Sequence, residues 1–332
     1  MGVRSPGRYC LIEGCRIAWE ETGEQDAQPI LCLHAAGSGS REFRPLLDRC
    51  PAGIRLILVD WPGHGRSGDL IGNNSEDAAQ LTVESGATNL HSLMNQIGIE
   101  RPVILGSEFG AAVALRYAAD HPGQVLGLML CLPAGLVPEQ TKERLSKRTR
   151  RGVGLFIRRM QDSASGGSGK EAVIAAKRQA LRIEALRPDM QSIRAAAQNS
   201  ADRSSALLRK ALDCLSCPAF LALSRDSREY PLRSYLALLD PSQAWVPQYQ
   251  LTVFAGAFHP LWEEPDRFAL ALTSFVQSQL SLEKHTHAWL LIAVDWPVQD
   301  TNTWKCVHPD CPAERVLSAG LNANEAPRKP LR

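Results

Sequence analysis

Long hydrophobic runs are missing from this sequence. The longest one toward the carboxyl end, Ala288 to Val294, falls far short of the roughly 20 apolar residues that a membrane-spanning helix needs. The first residues, Met1 to Gly14, lack the apolar stretch of a secretory signal, and Ser5 stands one place too early for an acylation pattern. An excess of charge of one sign is missing too. The chain carries 37 Lys plus Arg against 35 Asp plus Glu, a formal net charge of +2, which creates no field that would draw in nucleic acid or anionic lipid. A cytoplasmic protein with a small-molecule partner is expected, binding neither nucleic acid nor membrane. Nothing in the sequence marks an oligomeric state.

A dense disulfide framework is also absent. Nine cysteines, an odd number, are scattered from Cys10 to Cys311, mostly in apolar segments, and read as buried free thiols. Cys214 and Cys217 form a C-x-x-C pair, but no second pair follows at zinc-ribbon spacing. Near the end, Cys306, His308 and Cys311 offer three soft ligands without a fourth. No metal and no cofactor are expected.

What is present is an ordinary globular composition, 44% hydrophobic and 22% charged, over 332 residues. From Arg8 onward, short leucine-rich or β-branched runs alternate with helical stretches, the pattern of a mostly parallel, twisted α/β sheet with helices on both faces. Tyr9 to Glu13 and Arg16 to Glu21 read as an antiparallel pair. Buried strands are expected at Ile30 to His34, Arg55 to Asp60, Pro102 to Gly106 and Val125 to Cys131, with helices at Thr82 to Ile97 and Phe109 to Ala119. Beyond Pro133 the composition turns to Arg, Lys, Gln and Ala, interrupted by Ser163 to Gly169, as in a helical insertion with a loose loop. Strand character returns at Ala219 to Ser224 and Leu251 to Ala255, and one helix is expected from Pro260 to Gln279. The implied division is a core of residues 8–136 and 212–280, a helical cap of 137–211, and a weakly ordered extension of 281–332.

Three motifs lie at strand ends. His34-Ala-Ala-Gly-Ser-Gly39 follows the third strand, where small residues let backbone N–H groups face a ligand. Asp60-Trp-Pro-Gly-His-Gly-Arg-Ser-Gly68 follows the fourth. Val103-Ile-Leu-Gly-Ser-Glu-Phe-Gly110 follows the pattern strand, Gly-x-nucleophile-x-Gly turn, helix. Together they resemble the α/β-hydrolase superfamily over about Tyr9 to Leu280.

That resemblance implies a nucleophile, acid and histidine in this chain order. The nucleophile position is Glu108 rather than serine, with Ser107 an alternative one residue earlier. Some relatives carry aspartate there and attack carbon through the carboxylate; Glu108 supplies the same group on a longer arm. The acid is assigned to Asp226, although the usual Gly-x-x-Asp ending is compressed by one residue. The histidine is assigned to His259; counting back from Glu263-Glu264-Pro265 puts Phe258 at the family's histidine position. The resemblance further implies an oxyanion hole from the Ala36 and Phe109 N–H groups, and a pocket lined by His34, Trp61, Phe258 and Trp262.

Three functions remain open on sequence. The leading one is a hydrolase of a small, partly apolar substrate (ester, epoxide or carbon–halogen class) in which Glu108 attacks directly or activates water. The alternative is a catalytically inactive binding or regulatory protein with the same fold. A third is a lyase or isomerase using Glu108 or His259 as a base.

Overall fold

A computed structural model describes residues 7–49, 53–68, 81–136, 188–227, 230–238, 249–256, 259–282, 289–295, 301–306 and 314–318. Eight strands form the main sheet: β1 (Arg8–Ile12), β2 (Cys15–Thr22), β3 (Gln28–Leu33), β4 (Ile54–Val59), β5 (Val103–Ser107), β6 (Gly127–Cys131), β7 (Ala219–Ser224) and β8 (Tyr249–Phe254). Their spatial order is β1-β2-β4-β3-β5-β6-β7-β8. The pairs β1/β2 and β2/β4 are antiparallel, and every other pair is parallel.

The opening hairpin closes through Glu13 and Gly14, both at positive φ (50° and 81°), the backbone of a type I′ turn that matches the twist of the strands. Strands β4, β5, β6 and β7 are buried at every position, as their unbroken apolar runs require of parallel strands covered on both faces. Helix α1 (Arg44–Leu47) follows a 3-10 turn at Ser40–Phe43. Helix α2 (Val83–Ile97) starts at a capping box between Thr82 and Ser85 and ends at Gly98, whose φ of 67° favours glycine. Helix α3 (Phe109–Asp120) crosses behind β5, with Ala111 to Leu115 fully buried.

The described part of the insertion is helix α4 (Pro188–Arg203) and helix α5 (Ser205–Asp213). It docks through buried Ile193, Ala197, Ala201 and Leu208, and Ser200 Oγ accepts the Val83 N–H at 3.0 Å at the start of α2. Helix α5 runs across residues 211 and 212, where composition placed the boundary between cap and core. Residues 163–169 and 258 lie outside the described residues.

After helix α6 (Leu232–Leu238), the expected helix from Pro260 to Gln279 is two helices, α7 (Pro260–Glu263) and α8 (Pro265–Leu282). Glu264 leaves helical geometry (φ −129°, ψ 61°) because the ring of Pro265 crowds the backbone of the residue before it.

The extension expected to be weakly ordered forms β9 (Trp289–Asp295), β10 (Thr301–Cys306) and β11 (Glu314–Ser318), a small antiparallel sheet in the order β11-β10-β9. A register shift between Thr303 and Trp304 interrupts the two-residue alternation from which such a strand would be read in sequence. Among the described residues, no helix is long and apolar enough to cross a membrane.

Candidate active site

The turn after β5 takes the strained geometry that the motif predicts, in the register that places Glu108 at its tip. Glu108 has φ 46° and ψ −106°, a conformation that a non-glycine residue holds only when its surroundings fix it. Three hydrogen bonds do so. Its N–H donates to Cys131 O at 2.9 Å, and its carbonyl accepts from Ala112 and Ala134, each at 3.1 Å. The flanking glycines permit the bend: a Cβ on Gly106 would come within 2.5 Å of Ala111 Cα, and one on Gly110 would collide with Leu33 O. The close approach of Gly110 seats the first turn of α3 against the start of the loop after β3.

The Glu108 side chain is one-fifth exposed. The Tyr230 hydroxyl donates to its Oε2 at 3.1 Å, and Arg194 Nη2 on α4 stands 3.8 Å from the same oxygen. A phenol and a guanidinium both favour an ionised carboxylate. The backbone N–H groups of Ala36 and Phe109 have no acceptor among the described residues, so both donors are available to a ligand.

Ser107 occupies a different environment. It is fully buried, and its Oγ lies 2.8 Å from His259 Nε2. The same nitrogen faces Glu42 Oε1 at 3.2 Å and Cys131 Sγ at 3.6 Å. The Leu261 N–H lies 3.3 Å from His259 Nδ1, so the ring is held from both sides.

The charges in this cluster support one another. Burial opposes ionisation of Glu42, yet its contacts with His259 and the Ser107 hydroxyl bring its pKa down to about 2. Burial likewise opposes the His259 cation, while the Cys131 and Glu42 neighbours raise its pKa well above the usual histidine value. Burial also raises the Cys131 thiol, against the opposite pull of His259. Glu42 and His259 are thus a buried ion pair behind the elbow. Glu42 Oε2 also accepts the Ala35 N–H at 3.0 Å, joining this cluster to the loop that carries Ala36.

Sequence reasoning missed Glu42, which lies in a 3-10 turn outside every motif. A single acid between Arg41 and Phe43 is the only signal it left. Asp226, assigned as the orienting acid, is half exposed and pairs with Arg225 at 3.1 Å, with no contact to His259 among the described residues. Ser227 turns inward in its place and its Oγ accepts the Tyr230 N–H at 3.1 Å, so this loop delivers Tyr230 rather than an acid.

Two of the residues expected to line the pocket, His34 and Trp61, act as struts. His34 Nε2 accepts the Trp61 N–H at 3.0 Å, Trp61 Nε1 donates to His34 O at 3.0 Å, and His64 Nε2 accepts the Gly37 N–H at 2.8 Å. His34, Trp61 and Trp262 are all buried, and together the first two and His64 tie the His34–Gly39 loop to the Asp60–Gly68 loop. Phe258 is outside the described residues. Cys214 is exposed and Cys217 buried, both as free thiols, and no metal-binding cluster occurs among the described residues.

Residues 30–272 match the model of the alpha/beta hydrolase family. A probable proline iminopeptidase of Streptomyces coelicolor is 36% identical over 127 residues, 37% of this chain, and the match spans only 38% of that protein. A pimeloyl-acyl-carrier-protein methyl ester esterase of Yersinia pseudotuberculosis is 28% identical over 279 residues, covering 79% of this chain and 98% of that protein. Among solved structures, an esterase from Rhodococcus superposes with a TM-score of 0.60 at 22% identity, over 82% of this chain and 99% of the other.

Proposed function

Because the chain belongs to the alpha/beta hydrolase family, we propose that it hydrolyses small, partly apolar esters by a water molecule that Glu108 activates directly. The observation that carries this reading is the position of Glu108: a carboxylate at the strained tip of the elbow, open to the solvent side, with Tyr230 at 3.1 Å and two unused backbone donors, Ala36 and Phe109, in the neighbouring turns. Glu108 takes a proton from water as the water oxygen adds to the ester carbonyl. The Ala36 and Phe109 N–H groups hold the resulting oxyanion. The carboxylic acid then returns its proton to the departing alkoxide, leaving a carboxylic acid product, an alcohol and the original Glu108 carboxylate.

Direct attack by Glu108 on the ester carbonyl would expel the alkoxide and form a mixed anhydride that a second base must help water to cleave. His259 is poorly suited to that task, since it is buried between Ser107 and Glu42 and its raised pKa favours the protonated ring. The ester class is supported by the methyl ester esterase relative, which aligns over nearly its whole length.

The test is turnover of short p-nitrophenyl esters, with epoxides and haloalkanes as comparison substrates, by the wild-type chain and by Glu108→Gln and Ser107→Ala. Loss of a positioned general base costs about 10²- to 10⁴-fold, so Glu108→Gln should fall by that factor while Ser107→Ala keeps most of its kcat. Dependence on Ser107 instead would refute the assignment. A second reading, a binding protein without turnover, is favoured by the inward-facing His259 and the solvent-facing Asp226. It becomes the better one if no substrate reacts above the background of the double variant.

A further inference from the structure

A cavity of about 140 Å³ opens among Glu20, Ser40, Arg41, Arg44, Asp60 and Arg66. Liquid water occupies about 30 Å³ per molecule, so the space holds on the order of five such groups, the size of a tetrahedral oxyanion. Arg41, Arg44 and Arg66 all line it. Arg41 and Arg44 have no acidic partner among the described residues, whereas Arg66 is shared between Glu20 and Asp60, each at 3.5 Å.

Asp60 and Glu20 offset two of the three guanidinium charges, which leaves an excess of one positive charge at the cavity. Asp60 is almost fully buried, and its oxygens already accept the Ser40 N–H at 2.7 Å and the Arg66 N–H at 3.1 Å. Gly65 is required for this arrangement, because a side chain there would strike the Asp60 carboxylate. Ser40 gives an independent indication: it is 3% exposed, lines the cavity, and its hydroxyl has no hydrogen-bond partner among the described residues. The Ser40 hydroxyl is open to the cavity, and the Arg41 and Arg44 charges on neighbouring turns repel one another. An anion with several acceptor oxygens partners the first and relieves the second.

We propose that this cavity binds a phosphate group, free or carried as a phosphomonoester, through the Ser40 hydroxyl and the Arg41, Arg44 and Arg66 guanidiniums. The site shares no residue with the proposed ester chemistry and stands or falls separately from it.

The experiment is calorimetric titration of the full chain with inorganic phosphate and, in a second arm, glycerol 3-phosphate, at ionic strength held constant with sodium chloride. Saturable one-site binding is expected, weakened at least tenfold in Arg41→Gln/Arg44→Gln and reduced in Ser40→Ala. Tighter binding of glycerol 3-phosphate would identify the phosphomonoester as the fitting form, and tighter binding of phosphate the free ion. Circular dichroism confirms that each variant is folded. No saturable binding of either ligand to the wild type, or equal binding to the double variant, would overturn the proposal.

Discussion

Ser107 and Glu108 are neighbours in sequence, and the elbow sends them to opposite environments. Ser107 is the last residue of β5 and points into the core, where His259 and Glu42 enclose it. Glu108 stands at the turn's tip, partly exposed, against Tyr230 and Arg194. One position holds a serine with a histidine but offers it no access; the other has access and carries a carboxylate. Proximity of a serine to a histidine therefore does not define a nucleophile. The path of approach to the hydroxyl bears on its role as well.

The comparison is sharpened first on the buried side. Removing one member of a buried ion pair leaves an uncompensated charge at a cost of about 3–5 kcal/mol. Glu42→Ala should destabilise the fold by that amount in urea denaturation, and loss below 1 kcal/mol would show the pair to be unimportant. Ser107→Ala removes a smaller link, and leaving its buried partners short of a hydrogen bond should cost about 1–3 kcal/mol with kcat nearly unchanged.

The pair also sets a pH window. Glu42 is depressed from 4.5 to about 2, so its contribution is complete above pH 4.5 and lost as pH falls toward 2. His259 is raised well above 6.5, so its contribution is complete below pH 6.5 and lost as pH climbs through the raised value. The stability difference between wild type and Glu42→Gln should peak between pH 4.5 and 6.5 and shrink on both sides; a flat difference would argue against ionisation of the pair. The smallest effect belongs to Asp226→Asn, which removes a solvent-exposed ion pair with Arg225. It should change stability by no more than about 0.5 kcal/mol and leave turnover intact.

The sheet was readable because its parallel strands are buried on both faces and appear as uninterrupted apolar runs, and because Gly106 and Gly110 fix the elbow register through close backbone contacts. The site was less readable for three physical reasons. A one-residue change of direction in a loop decides which side chain faces inward, and it separates Asp226 from Ser227. Glu42 meets His259 only through the tertiary fold, with no local periodicity to announce it. The broken alternation in β10 hid the small terminal sheet. Tyr230 and Arg194 reach Glu108 from the β7 loop and from α4, contacts that no strand-end motif encodes.

Ester turnover in ¹⁸O-labelled water, followed by mass analysis of the peptide containing Ser107 and Glu108, tests the central claim most directly. If Glu108 acts only as a base, the label appears in the carboxylic acid product and the peptide keeps its unmodified mass after many turnovers. An ¹⁸O atom in the Glu108 carboxylate would establish covalent attack by that residue, and an acyl group on Ser107 would contradict the account altogether.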